Sequence, residues 1–219
     1  MPSPPYREPR QERSRRTFEA LLDAAGVLLG EVGIERISTN LICERANVTP
    51  PAFYRYFDDK YAIVQALAER MMGRQNAAFE AWAKRYRDCG LEVLSDKILE
   101  LMQAMAVITG GQPGAMWIMR ALRAVPSLAP LRLYSHNYVA DALTDIYLRY
   151  LPQVPRPLLR RRVRMGVEMA YSIDEMLKEE DVDEAQLLED AHFVLKAMFH
   201  YPEYTAGPGS TTADEPPAS

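Results

Sequence analysis

The sequence predicts an all-α protein of about nine helices, and three observations lead to that fold class. Apolar residues recur at spacings of three and four through most of the chain, which is the period of an amphipathic helix. No segment shows a convincing strand alternation, and no internal repeat is visible. The 219 residues are 48% hydrophobic and 26% charged, an ordinary balance for a globular protein with a real core.

The first two helices are marked by their ends. A helical period begins at about Arg13, and Gly33 follows its last apolar residue, where a left-handed C-terminal residue is expected. A second helix follows, with Ser38 or Thr39 positioned to accept from its free N–H groups. The apolar face of the first helix consists of Phe18, Leu21, Leu22, Ala25, Leu28, Leu29 and Val32.

A tight turn then leads into a helix that begins with two prolines. Thr49 is a natural N-cap, and Pro50 and Pro51 occupy the first two helical positions, where a missing N–H has no intrahelical partner to lose. Asn47 lies where the turn needs a positive φ, which Asn accepts better than most residues. The prolines therefore start this third helix rather than break it.

The third helix is expected over residues 50–57, only about two turns. A helix that short is marginal in isolation, so one face has to be held by packing. Phe53 and Phe57, four residues apart, are the expected anchors. The side chains at 52 and 54–56 then point elsewhere.

Further helices are expected through the rest of the chain, separated by proline- and glycine-rich turns. Residues 1–12 are predicted to be a disordered basic arm, 13–60 a three-helix unit, 61–201 a helical bundle, and 202–219 a disordered tail. The later helices are expected at about 60–87 (capped by Asp58), 91–109, 115–125, 131–151, 158–178 and 183–199.

Charge is distributed unevenly. The net charge is −4, but residues 1–16 hold five arginines against two glutamates, a local charge of +3. A basic segment on an acidic body suits contact with a polyanion. The same charges are also typical of a solvated, disordered tail. The charge distribution alone therefore does not decide between a tail and a segment that contacts a polyanion.

A capped helix, a three-residue turn and a short second helix with exposed polar groups form a helix-turn-helix. Such a second helix fits the DNA major groove, with side chains near its N-terminus on base edges and flanking groups on phosphates. Hydroxyls at 49, 54 and 56 suit phosphate, Arg55 suits guanine or phosphate, and Lys60 at a helix start suits phosphate. The candidate DNA contacts are Arg13, Arg16, Ser38, Thr39, Thr49, Pro50, Pro51, Ala52, Tyr54, Arg55, Tyr56 and Lys60.

Residues 13–60 resemble the DNA-binding domain of the TetR family of bacterial transcriptional regulators, through the stretch ISTNLICERANVTPPAFYRYFDDKYAI. The resemblance covers about a fifth of the chain. Asn47 stands where the family usually has Gly, and Cys43 where it usually has Ala. Pro51 changes the surface that would face bases, so the operator sequence is not transferable.

The resemblance implies a homodimer that binds a palindromic operator in double-stranded DNA, usually as a repressor. It also implies release when a small effector enters the helical body. The last two helices carry more apolar surface than a monomer needs on one face, which favours a dimer interface. The candidate interface residues are Val163, Val167, Ala170, Ile173, Leu177, Leu188, Ala191, Val194, Leu195 and Met198.

Apolar and aromatic residues of the middle helices suggest an effector cavity. Richness in Met and aromatic side chains hints at a hydrophobic or aromatic effector. The same residues also suit an ordinary core. The candidate lining residues are Leu101, Met102, Met105, Ile108, Met116, Trp117, Tyr134 and Tyr138.

Other functions are less well supported by the sequence. A transcriptional activator and an effector-independent DNA-binding protein stay open, whereas no catalytic cluster or phosphate loop favours an enzyme. Glu189-x-x-His192 has metal-like spacing but one copy only, so neither a metal nor a cofactor is expected. No apolar run reaches the ~18 residues of a membrane span, and residues 1–16 have no signal-peptide character. Two distant cysteines suit a reduced cytoplasm, so a cytoplasmic protein is expected. The resemblance implies a bacterial protein that is associated with the nucleoid when it is bound to DNA.

Overall fold

The computed structural model describes residues 4–198, and the regular elements within that range are ten α-helices. The all-α prediction is confirmed. The helices are α1 (Glu12–Arg36), α2 (Thr39–Ala46), α3 (Pro50–Tyr54), α4 (Lys60–Tyr86), α5 (Leu91–Asp96), α6 (Ile98–Gly110), α7 (Ala115–Ala124), α8 (Ala129–Leu148), α9 (Arg156–Glu179) and α10 (Glu184–Met198).

The single helix expected over residues 91–109 is divided into α5 and α6 at Lys97. The Lys97 carbonyl accepts a hydrogen bond of 2.9 Å from Trp82 Nε1, and Lys97 itself has φ −87° and ψ 0°. A side chain that takes a backbone acceptor in this way interrupts the regular helix.

The turn between α2 and α3 forms as the sequence predicts. Ser38 Oγ accepts from the Leu41 N–H, and Asn47 ends α2 in the left-handed region at φ 52° and ψ 46°. Pro50 is the first residue of α3, which ends at Tyr54, three residues earlier than expected. At the next helix, Asp59 rather than Asp58 is the cap, because its carboxylate accepts from the N–H groups of the second and third residues of α4.

An aromatic cluster holds α3 against the first helix. Phe53 and Phe57 are both fully buried, and their ring centroids lie 5.4 Å apart. Phe57 also stacks on Phe18 of α1 at 5.0 Å. Because buried aromatic side chains dominate core energetics, this contact stabilises a helix that has only five residues of its own.

The N-terminal segment departs from the predicted disordered arm. In the described part, Tyr6 is 9% exposed and bridges to Phe57 across a short backbone pairing. The Tyr6 hydroxyl donates to the Glu69 carboxylate, and burial together with this carboxylate raises the pKa of Tyr6 well above its usual value. The Arg7 N–H donates to the Tyr56 carbonyl at 2.8 Å. Burial of one aromatic ring thus orders a polar segment, while the predicted tail at 202–219 lies outside the described residues.

Helix α4 belongs to two hydrophobic cores. Ile63 and Leu67 pack in the N-terminal core with α1, α3 and α7. Phe79 and Trp82, further along the same helix, pack in the second core with α6, α8 and α9. The domain boundary expected at residue 60 is therefore not a gap in the packing.

Helix α1 and the start of α7 meet backbone to backbone. Gly114 has φ +71°, and a Cβ atom added there would lie 2.4 Å from the Gly26 carbonyl oxygen and 2.9 Å from Leu29 Cβ. Neither backbone conformation nor space therefore admits a side chain at this position.

We expect Gly114→Ala to lower the free energy of unfolding by about 2 kcal/mol or more, because it adds both left-handed strain and a backbone clash. Gly73→Ala is the matched control, since a Cβ atom there meets nothing within 4 Å. Gly73 is exposed within α4, so this change should stabilise by about 0.5–1 kcal/mol. Urea unfolding measures both variants, and equal stabilities would contradict the described contact.

Candidate DNA-binding surface and interior cavity

The outer face of the helix-turn-helix carries an exposed group of polar and proline side chains. Thr49, Pro50 and Pro51 are exposed at the start of α3. Tyr54, at its end, is 51% exposed. The Tyr54 hydroxyl lies 3.3 Å from Thr39 Oγ1 at the first residue of α2. The two helices therefore present hydroxyl groups side by side on one surface, with Ala52 half-buried beside them.

Arg55 adds a positive charge to this surface. Its side chain is exposed, and its guanidinium lies 5.9 Å from the centre of the Tyr56 ring. Within residues 4–198, no carboxylate forms an ion pair with Arg55. Arg45, by contrast, is held by Glu31 through two bonds of 2.7 and 3.1 Å. Arg55 is thus available to an external anion.

Tyr56 does not lie on the outer face, which corrects the sequence prediction. It is only 6% exposed, and its ring packs edge-on against Phe18 at 5.8 Å. After α3 ends, the chain turns and directs residue 56 into the aromatic cluster. The sequence prediction assumes one continuous helix over residues 50–57, and residue spacing along such a helix does not include this change of direction.

Lys60 also differs from the prediction. Its ammonium donates to three backbone carbonyls near the end of α1, those of Ile34, Glu35 and Ile37, at 3.0, 3.4 and 3.3 Å. These acceptors use all three N–H donors of the lysine. Lys60 therefore fastens α4 to α1 and does not point at the solvent.

The remaining predicted DNA contacts lie on regular structure. Arg13 and Arg16 are exposed in the first turns of α1, so they are not part of an extended arm. Arg16 lies 3.8 Å from Glu12, and Ser38 caps α2 with its side chain. Their contact with DNA stays a prediction.

A cavity of about 490 Å³ lies in the helical body. Its walls come from α4, α6, α8, α9 and α10, and most of the lining side chains are apolar. This volume falls within the range typical of small-molecule sites. Leu101, Met102 and Met105, three of the predicted lining residues, do line it.

The other five predicted lining residues do not belong to the cavity wall. Trp117 instead lies against Gly33, where an added Cβ would be 3.1 Å from its ring, and Met116 packs on the same N-terminal core. Tyr134 is 54% exposed, and Tyr138 donates to Glu80 at 2.6 Å on the surface. Ile108 is half-buried and does not line the cavity.

Sequence reasoning missed the contribution of α4. Gln75 lines the cavity and is only 4% exposed, and Asn76 and Phe79 line it beside Gln75. A signal was present, because Gln75 is a polar residue on the same inward face of α4 as Met71, Met72 and Phe79. A polar side chain on an apolar helix face often marks a site.

Most of the predicted dimer residues face the interior of the protomer instead. Six of them, on α9 and α10, are buried, and the large apolar residues exposed on these helices are Met165 at 63%, Phe193 at 75% and Val194 at 45%. Both helices are apolar on two sides, and sequence could not tell the inner from the outer. The buried residues are Val163, Val167, Ile173, Leu188, Ala191 and Leu195; Ala170, Leu177 and Met198 are half-buried.

Metal sites and membrane spans are both absent from the described residues. Between residues 4 and 198, no three His, Cys, Asp or Glu side chains come together as a possible metal site. None of the helices in that range combines the length and apolar character that crossing a membrane requires.

Comparison with known proteins identifies the N-terminal unit. Residues 21–67 match the family model of bacterial regulatory proteins of the tetR family. The chain is 43% identical over 54 residues to the tetracycline repressor protein class C of Escherichia coli, which is 25% of each chain. The likeness to this curated relative thus spans only a quarter of its length.

Solved structures extend the likeness to the whole fold. A TetR-family transcriptional regulator from Streptomyces coelicolor is 26% identical, with a TM-score of 0.53 over 83% of this chain and 96% of the other. A transcriptional regulator from Aquifex aeolicus, 18% identical, shares the fold with a TM-score of 0.57 over 84% and 99% of the two chains. Residues 21–67 thus match the N-terminal domain of the tetR family of bacterial regulatory proteins, and the described helices fold as they do in a TetR-family regulator.

Proposed function

We propose that this protein is a transcriptional repressor that binds a palindromic operator as a homodimer and releases it when a small effector occupies the cavity. The observation that carries the proposal is the outward face at the end of α3, where Tyr54 and the next residue, Arg55, are exposed and Phe53 is fully buried. A short helix anchored from behind and polar in front suits insertion into a major groove.

The side chains proposed to contact DNA suit different parts of the duplex according to their chemistry. Tyr54 and Thr39, with hydroxyl groups 3.3 Å apart, suit neighbouring phosphate oxygens. Arg55 suits guanine or phosphate. The prolines at 50 and 51 offer apolar contact to a thymine methyl group. Arg13 and Arg16, on the first turns of α1, are placed to add phosphate contacts outside the groove.

The dimer surface is proposed on the outer side of α9 and α10. Gly166 of α9 lies against Leu195 of α10, because a Cβ atom added at Gly166 would be 3.2 Å from Leu195 Cδ2. Met165 and Val194 precede Gly166 and Leu195 in sequence, so they lie at the same height along the helix pair. Phe193 precedes Val194 on α10. Exposed apolar side chains grouped in this way are typical of an interface, and two helices from each protomer would form a four-helix contact.

Release by an effector requires coupling between cavity and DNA surface. Helix α4 provides the physical link, because its first half belongs to the same hydrophobic core as Phe53 of α3 and its second half lines the cavity. A ligand that favours one position of α4 changes operator affinity by its differential binding to the two states. The two α3 helices must lie about 34–36 Å apart to enter successive grooves, so a small displacement of α4 is sufficient.

We expect Arg55→Ala to weaken DNA binding by about tenfold and to lower the slope of log affinity against log salt by about one. Tyr54→Phe should weaken binding by a smaller factor, since it removes one neutral donor. Tyr56→Phe is the matched control and should bind as the wild type does, because Tyr56 is buried. Fluorescence anisotropy with a fragment selected from random DNA measures all three. Wild-type binding by both Tyr54→Phe and Arg55→Ala would refute the proposed surface.

Lys60→Met should lower the free energy of unfolding by about 1–2 kcal/mol, because three carbonyls at the end of α1 lose their donor. The salt slope of DNA binding should stay unchanged. Chemical unfolding and a salt titration together test this. An unchanged stability combined with a slope lower by about one would show that Lys60 contacts phosphate after all.

Phe193→Lys should shift the protein toward the monomer of 24.9 kDa, because it places a charge in the proposed apolar interface. Val107→Lys is the control, since Val107 is equally exposed at 75% but lies on α6. Light scattering coupled to size exclusion, at micromolar concentration, reports the mass. A Phe193→Lys dimer as stable as the wild type would place the interface elsewhere.

A further inference from the structure

The cavity wall contains two buried oxygen atoms without a hydrogen-bond partner. They are Gln75 Oε1 on α4 and Asp174 Oδ2 on α9. Leaving a buried acceptor unpaired has a substantial free-energy cost. Such atoms therefore call for an explanation, and a missing ligand at a cavity wall is one.

The orientation of the Gln75 amide follows from its neighbours. Thr109 Oγ1 donates to the Met105 carbonyl at 2.9 Å, which uses the only hydrogen of that hydroxyl. Thr109 must then accept from Gln75, whose Nε2 lies 3.2 Å away. The amide nitrogen is thus committed, and the carbonyl oxygen is the atom left over.

Only one of the two carboxylate oxygens of Asp174 has a hydrogen-bond partner. Lys178, one turn along α9, bonds to Oδ1, whereas Oδ2 has no partner. Burial raises the pKa of the Asp174 carboxyl, against the opposing effect of Lys178. A further donor at Oδ2 would supply the hydrogen bond that water supplies elsewhere.

The remaining charge of the wall has one sign. Glu184 is the second carboxylate on it, and no described residue that lines the cavity is a Lys, Arg or His. A carboxylate or phosphate ligand would meet repulsion from Glu184 and find no cationic lining residue, because Lys178 lies behind the wall and is already paired with Asp174. Both oxygen atoms are covered in the structure. The carboxylate torsion of Asp174 is broad, so a modest rotation would bring Oδ2 to the surface of the cavity, whereas Gln75 would have to bend its bond to Thr109 to present Oε1.

We propose that the effector is a hydrophobic amine, with an apolar body that fills the cavity and an ammonium group that donates to Gln75 Oε1 or Asp174 Oδ2. This inference rests on the proposed function, because it names the chemical class of the effector for that site. An ammonium group supplies up to three donors and a positive charge. It therefore supplies the donor that an unpaired acceptor lacks and the charge that suits a negative wall.

The experiment compares four ligands that share one tail and differ in the head group. Decylamine, 1-decanol, decanoate and decyltrimethylammonium are titrated below their micellar concentrations into the full-length protein, with calorimetry and thermal unfolding as readouts. Decylamine should bind at least about tenfold more tightly than the other three, because only its head is both cationic and a hydrogen-bond donor. Equal binding of decanoate or of the trimethylammonium compound would overturn the proposal, as would no binding of decylamine.

Two charge-matched variants locate the head group. Asp174→Asn should weaken decylamine binding by about tenfold and leave 1-decanol nearly unchanged. Glu184→Gln removes the same charge from an exposed position on the wall and should have little effect. Equal losses of decylamine affinity in the two variants would mean that the ammonium is attracted by the overall negative charge of the wall. That result would overturn the assigned contact with Asp174. Gln75→Leu should weaken the binding of decylamine and of 1-decanol, the two ligands whose head groups donate hydrogen bonds.

A DNA-release assay separates this inference from the proposed function. Decylamine should release wild-type protein from its selected DNA fragment at concentrations that saturate the cavity. If the protein binds DNA but no amine, the amine inference fails alone. If it binds amine but no DNA, the repressor proposal fails and the ligand class stands.

Discussion

The stacking of Phe18 on Phe57, with Phe53 packed against Phe57, is the contact on which the proposed DNA-binding surface depends. A helix of five residues has almost no stability of its own. Its direction is therefore set by the side that is buried, and the outward position of Tyr54 and Arg55 is a consequence of that burial. The same cluster draws in Tyr56 and Tyr6, so the N-terminal segment and the end of α3 become parts of one core.

Helix α4 joins this cluster to the rest of the protein. Its inward face changes partners along its length, from Ile63 and Leu67 in the first core to Phe79 and Trp82 in the second. Gln75 lies between these two groups, at the cavity wall. A ligand that paired with Gln75, as we propose, would act on the helix that both cores share.

Local chemistry explains what could be predicted from the sequence. The Asn47 turn, the proline-initiated α3 and the anchoring role of Phe53 depend on backbone preferences and on the spacing of neighbouring residues, which a single chain displays directly. The inner and outer sides of α9 and α10 depend on which helices pack against them. Both sides are apolar, so Val163 and Phe193 cannot be distinguished by pattern. Tyr56 and Lys60 were misplaced for a related reason, because contacts distant in sequence determine their direction.

The close approach of Gly26 and Gly114 has a mechanical consequence. Side chains at an interface can repack and so permit sliding, but here two backbones touch with nothing between them. This close contact leaves little room for α1 and α7 to slide past each other at Gly26 and Gly114. In the proposed switch, a displacement of α4 would therefore tilt the N-terminal helices about this contact rather than translate them away from the body.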